Sequence, residues 1–185
     1  MGRPKLFSRE DVLRKAMPVF WTRGFADTAV QDLEKATGVN KSGLYSEFKG
    51  KEDIYIESLR YYYANSKARE IMSREPFGWS NIEEFLKHVA SRCSQDQKGC
   101  FSVNSMREIE VLPAEARELI SEHRQRLKKL FSQNIAAEKT KLNPESAADV
   151  LLTFFSGFCI EQNVNVNKSQ LLKKATDLIN SLRGI

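Results

Sequence analysis

Apolar residues recur along this chain at the three- and four-residue spacing of amphipathic helices, and no segment alternates as a half-buried strand would. The pattern predicts an all-α fold of about nine helices. Ser8 and Asp11 open the first helix, whose buried face is Val12, Ala16, Val19 and Phe20, and Gly24 closes it. Pro18 lies inside that helix and should bend it, because proline removes a backbone donor and crowds the preceding turn. Thr28 with Gln31 reads as a capping box for a short second helix through Ala36, with Val30, Leu33 and Ala36 on its apolar face. Gly38 supplies a sharp turn. Asn40 can then cap a third helix, from which Leu44 and Phe48 point back into the same small core.

A fourth, long helix is expected from near Lys51 to about Arg74, broken by Glu75-Pro76-Phe77-Gly78-Trp79-Ser80. Ser80 with Glu83 caps a fifth. After the turn Asp96-Gln97-Lys98-Gly99, a sixth covers Cys100 to about Glu110. A seventh follows Pro113 to roughly Glu138, with a stripe of Ala116, Leu119, Ile120, His123, Leu127, Leu130 and Phe131. Asn143-Pro144 starts the eighth with a cap and a proline at the first helical position. Ala147, Leu151, Phe154, Phe155, Phe158 and Ile160 leave that helix apolar almost all round, so it must be covered on more than one side. The ninth, roughly Lys168 to Leu182, is apolar at Leu171, Leu172, Ala175, Leu178, Ile179 and Leu182.

Composition narrows the class. The 185 residues are 41% hydrophobic and 29% charged, as in a globular domain with a core of its own. No apolar run reaches the roughly 20 residues that span a bilayer, and MGRPKLFSRE lacks the apolar segment of a signal peptide, so a cytoplasmic location without membrane partners is expected. Cys93, Cys100 and Cys159 are an odd number without C-x-x-C spacing, which argues for reduced thiols and against a zinc site. The net charge of +5 permits nucleic-acid binding without demanding it. Residues 1–60 hold eleven Lys/Arg against nine Asp/Glu, a balance of only +2, so charge placement matters more than charge total.

Residues 24–51, GFADTAVQDLEKATGVNKSGLYSEFKGK, combine two capped helices, a glycine turn and a Tyr-Ser-x-Phe ending. That is the layout of a helix-turn-helix, at about 29–48. The residues left facing outward on its second helix, Asn40, Lys41, Ser42, Gly43, Tyr45 and Ser46, are small or hydrogen-bonding, as entry into a major groove requires. The run of Phe20, Gly24-Phe25, Thr28, Asp32-Leu33, Ala36, Gly38-Val39, Leu44-Tyr45, Phe48 and Lys51-Glu52 resembles the amino-terminal domain of the TetR family of bacterial transcriptional regulators. Two positions depart from the family pattern: Glu34 stands where alanine is usual, and Gly43 where threonine or another side chain usually sits. The segment GCFSVNSMREIEVLPAEARELISEHRQRL is similar to the sixth and seventh helices of one branch of that family.

The resemblance implies a DNA-binding domain over residues 1–50 and an effector-binding and dimerisation domain over 51–185. It implies a ligand-responsive repressor that binds a palindromic double-stranded operator as a homodimer, with no cofactor. It assigns DNA contacts to Thr28, Gln31, Asn40, Lys41, Ser42, Gly43, Tyr45, Ser46 and Lys51, while Gly2-Arg3-Pro4 resembles a minor-groove hook with Arg3 at its centre. It also implies a mostly apolar effector pocket, for which Tyr62, Phe85, Val89, Val103, Met106, His123, Phe155 and Cys159 are candidates, and the aromatics among them suggest a small apolar or aromatic effector. The last two helices would form a four-helix bundle across the dimer, through Leu151, Phe154, Gly157, Phe158, Leu171, Ala175, Leu178 and Leu182.

Two rival readings use the same helices. A helical interaction protein without DNA affinity would function unchanged after Tyr45→Ala and Lys41→Ala. An enzyme would need turnover dependent on His123 or a carboxylate pair, yet His88 and His123 are the only histidines, and no metal-ligand spacing, nucleophile elbow or phosphate-binding glycine loop is present in the sequence.

Overall fold

The computed structural model describes residues 7–91, 99–164 and 167–184. The described residues form ten α-helices and one 3-10 helix, with no strand among them. They group into two compact units: one holds the described residues through Asn65 with Asn104–Ile120, the other those of Ser66–Val103 and Ser121–Ile185.

In the first unit, α1 (Arg9–Arg23) begins where the Asp11 amide donates to Ser8 Oγ at 3.0 Å, and runs on through Pro18 to Gly24, which takes φ +88°. Its buried residues are Val12, Leu13, Ala16, Phe20 and Trp21, and Val19 is only half-buried. Helix α2 (Val30–Thr37) is capped differently from the Thr28–Gln31 box that the spacing suggests. The Ala29 amide donates to Asp32 at 2.9 Å, and the Thr28 hydroxyl donates backward to the Gly24 carbonyl. The buried residue of its last turn is Thr37, whose hydroxyl donates to the Leu33 carbonyl, and Ala36 faces water. A threonine can be buried in this way because its only donor is satisfied within the helix.

Gly38 in the left-handed conformation (φ +74°) turns the chain into α3 (Lys41–Glu47), and Asn40 caps α3 by accepting from the Gly43 amide at 2.8 Å. Helix α4 (Lys51–Ala64) ends ten residues earlier than the apolar pattern suggests, and the short α5 (Ala68–Met72) follows in the second unit. The Phe20 and Phe25 rings pack on Tyr55 of α4 at 5.1 and 5.0 Å between centroids.

The expected sixth helix is two elements: α7 (Phe101–Ser105) and the 3-10 helix Met106–Val111, which kinks at Glu108 (φ −114°, ψ 20°). From there Ser105 accepts the Tyr55 hydroxyl at 2.7 Å, and the Glu108 carboxylate accepts the amides of Phe25 at 3.2 Å and Ala26 at 2.8 Å. Gly24 leaves the room for it: a β-carbon there would sit 1.8 Å from Glu108 Oε1.

In the second unit, α6 (Trp79–Ser91) is not started by Ser80 and Glu83. Glu138 accepts the Trp79 amide at 2.8 Å, and Asn134 of α8 (Ala114–Ala136) accepts the Gly78 amide at 3.0 Å. Buried Asn134 also donates to the Met72 carbonyl, so a polar cluster fixes this corner. Phe85 packs on Phe131 and Phe155 at 5.8 and 5.3 Å between centroids. Helix α9 (Pro144–Val164) begins at the Asn143 cap, and α10 (Lys168–Arg183) at Asn167.

Charged hydrogen bonds to backbone amides are worth about 1.5–3 kcal/mol each, so Glu108→Gln, which keeps one acceptor oxygen and loses the charge, should cost about 1–3 kcal/mol in urea unfolding. Gly24→Ala should cost more, because it adds a positive-φ penalty to a collision with the same carboxylate.

Candidate nucleic-acid interface

The outward face of α3 is built by the caps on either side of Gly38. With Leu44 fully buried and Phe48 nearly so, Lys41, Ser42, Tyr45 and Ser46 project to solvent. Tyr45 is 40% exposed, and the Lys41 ammonium lies 5.6 Å from its ring centroid. The pair forms one surface that can offer a cation and a phenol to a phosphate backbone. Ser46 donates to the Gly43 carbonyl at 2.7 Å, which leaves its oxygen facing outward as an acceptor.

The other sequence candidates are placed unevenly. Gln31 is exposed on the first turn of α2. Thr28 is buried, so it can meet DNA through its backbone only. Asn40 has committed its carbonyl oxygen to the cap, which leaves its amide NH2 for contacts. The Lys51 ammonium donates to the carbonyls of Phe25 and Thr28 at 2.9 and 3.0 Å and lies over the Phe25 ring, so it serves the turn after α1. Gly43 is half-buried beneath Val39 and Phe7, and a β-carbon there would stand 2.7 Å from Val39 Cγ1. Arg3 and the Gly2-Arg3-Pro4 segment lie outside the described residues, as do Cys93 and residues 96–98 of the expected turn.

Among the effector candidates, Phe85, Val89, Val103, His123, Phe155 and Cys159 belong to the second unit, while Tyr62 and Met106 belong to the first. His123 is half-buried on α8. Burial, followed by the charge of Arg126, lowers its imidazole from 6.5 to about 4, so it is neutral at physiological pH. Cys100 and Cys159 are both buried thiols outside any disulfide. No group of His, Cys, Asp and Glu that could hold a metal ion occurs among the described residues.

Of the dimer-face candidates, Leu151 and Phe158 of α9 and Leu171, Ala175 and Leu182 of α10 are already covered within the single chain, where both helices pack on α6. Phe154, Gly157 and Leu178 keep free surface. Val150, Ile160 and Val164 are exposed on α9 alongside the stacked Phe154–Phe158 pair. Their signal in the sequence is the apolar residue on every side of this helix, which has more apolar faces than its own chain can cover.

The family model "Bacterial regulatory proteins, tetR family" matches residues 12–57, which contain α2 and α3. The HTH-type transcriptional repressor ComR of Escherichia coli (strain K12) is 32% identical over 109 residues, 56% of this chain and 52% of ComR. The HTH-type transcriptional repressor DhaR of Mycobacterium sp. (strain GP1) is 24% identical over 170 residues, 88% of this chain and 86% of DhaR. The chain spans about half the length of ComR in that match. Among solved structures, a cysteine mutant of the TetR family transcriptional regulator CifR, complexed with 26bp double-strand operator DNA, superposes with a TM-score of 0.86. It is 24% identical and covers 98% of this chain and 100% of its own. The reduced form of E. coli NemR superposes at 0.80, with 20% identity over 94% of this chain and 95% of its own. At these identities the structures establish the fold.

Two outcomes follow from the geometry. Helix propensity alone would make Gly43→Ala stabilising by about 1 kcal/mol, yet the stiff, buried Val39 cannot yield cheaply, so the substitution should instead lower the thermal midpoint. The folded His123 releases its proton far more readily than the unfolded chain does, so the stability it confers is complete above pH 6.5 and is lost as pH falls toward 4. The acid-induced loss between those values should shrink in His123→Gln by on the order of 3 kcal/mol, measured by urea unfolding at each pH.

Proposed function

We propose that this chain, a member of the TetR family of bacterial regulatory proteins, is a sequence-specific, ligand-responsive transcriptional repressor that binds a palindromic operator as a homodimer. The observation that carries this reading is α3 itself: a capped helix with Leu44 buried beneath it and Lys41, Ser42, Tyr45 and Ser46 turned outward. Residues 1–50 present the DNA-facing side chains, and residues 51–185 carry effector binding and dimerisation. The protein is not an enzyme, and it works in the cytoplasm; among the described residues no helix is long and apolar enough to cross a membrane.

Lys41 and Tyr45 hold phosphates while Ser42, Ser46 and the Asn40 amide group reach base edges. Arg3 enters the adjacent minor groove. Val150, Phe154, Gly157, Ile160 and Val164 of α9, with Leu178 of α10, form the face that a second copy covers. A twofold dimer then sets two reading helices about 34–36 Å apart, one helical turn of DNA. A small apolar or aromatic effector occupies the second unit among Phe85, Val89, Val103, His123, Phe155 and Cys159. It releases DNA only to the extent that it binds the released geometry more tightly than the DNA-bound one.

Selection from a random duplex pool should enrich a palindrome with half-sites about one helical turn apart. A single phosphate contact removed from each protomer by Lys41→Ala should weaken binding to all sequences and reduce the salt slope by about 1 per protomer. A folded dimer that enriches no sequence in any salt condition would leave the interaction-protein reading standing instead.

A further inference from the structure

We infer that Glu34 is a positioning residue for the reading helix, one that sharpens sequence discrimination while lowering general affinity for DNA. The inference rests on the DNA-binding reading above and adds to it a residue that the reading does not use. Glu34 lies on α2, and its carboxylate reaches across the Gly38 turn to accept the backbone amide of Lys41, the first residue of α3. Asn40 takes up the Gly43 amide from the other side at 2.8 Å. The start of α3 is thus held by two side chains, one from α2 and one from the turn itself.

Two consequences follow from the same bond. The first is mechanical. A helix of seven residues is far too short to hold its own shape in water, so its orientation is set by what it is tied to. Leu44 anchors the inner face, and Glu34 links α3 to α2 across a turn that Gly38 would otherwise leave free to swivel. The second is electrostatic. A phosphate that approaches the outward face of α3 is drawn by the Lys41 ammonium, and the carboxylate held at the Lys41 amide cancels part of that attraction. Binding to arbitrary DNA is carried almost wholly by phosphate contacts, whereas sequence reading needs side chains held in register with base edges. Glu34 therefore weakens the first and supports the second.

The substitutions that separate these effects are Glu34→Gln, which keeps an oxygen acceptor and removes the charge, and Glu34→Ala, which removes both. Each is made in the full chain and tested on the operator recovered by selection and on a scrambled duplex of the same composition, with hydrogen exchange of the Lys41 amide read without DNA. Both variants should bind the scrambled duplex about 3–10-fold more tightly at low salt. In Glu34→Gln the operator should gain by a similar factor, so the operator-to-scrambled ratio stays within about twofold of the parent, with the Lys41 amide still protected. In Glu34→Ala that amide should exchange faster, and the ratio should fall about tenfold, the scale of one misplaced base contact.

A Glu34→Ala ratio equal to that of Glu34→Gln would overturn the positioning role. Unchanged scrambled-duplex affinity in Glu34→Gln would overturn the electrostatic one, and it can be measured even if Glu34→Ala does not fold. Failure of the parent chain to enrich any duplex would instead remove the DNA-binding reading, before either variant is made.

Discussion

The turn between α1 and α2 is the point on which the first unit depends. Its backbone leaves two amides, of Phe25 and Ala26, and two carbonyls, of Phe25 and Thr28, without helical partners. Glu108 takes the amides and Lys51 the carbonyls, so an anion and a cation grip the turn from opposite sides. Phe25 and Thr28 are buried, so their backbone groups are costly to leave unmade, and a charged partner about doubles what a neutral one would contribute. Gly24 makes the arrangement possible, since any side chain there would occupy the place of the carboxylate. The direction in which α2 leaves α1, and with it the aim of α3, follows from this clasp.

Much of this was legible in the sequence where the cause is local. Ser8 and Asp11, Gly24, Gly38, Asn40 and Asn143-Pro144 mark helix ends in the structure as their spacing suggests, because a cap needs only neighbours within a few residues. The all-helical class and the helix-turn-helix rest on the same short-range signals. Errors arise where a local rule meets a competitor. Thr28 and Asp32 both offer a cap to α2, and Asp32 prevails because the Thr28 hydroxyl is drawn back to the Gly24 carbonyl. Ser80 loses the start of α6 to Asn134 and Glu138, which are more than fifty residues away in sequence and invisible to periodicity. An apolar stripe does not say which neighbour covers it: Leu171, Ala175 and Leu182 of α10 are buried within the single chain, where α10 packs on α6. Glu34 stands out in the sequence only as a departure from the family pattern, and Glu108 carries no local signal. Exposed glutamates are common, and nothing within four residues of either one names its partner.

Most cations of the first unit are held by scaffold partners. Arg9 is tied to Glu57 and stacked on Phe48, Arg14 to Asp11, Lys15 to the Thr37 carbonyl, Arg23 to Asp32, and Lys51 to the turn after α1. These cations serve the scaffold first. Each ion pair removes one charge of either sign and leaves the balance of +2 over residues 1–60 unchanged, so the pull on phosphate depends on where the uncommitted cations lie, and on the outward face of α3 that cation is Lys41. With so little free charge, a reader of this kind gains more from holding a few polar groups still than from adding lysines. The features of α3 agree with that economy: a glycine where a side chain would collide with Val39, a side-chain cap at the start, and a carboxylate that ties the helix down at some electrostatic loss. A rigid, weakly charged reading surface discriminates by fit, because there is little non-specific attraction to hold a mismatched site.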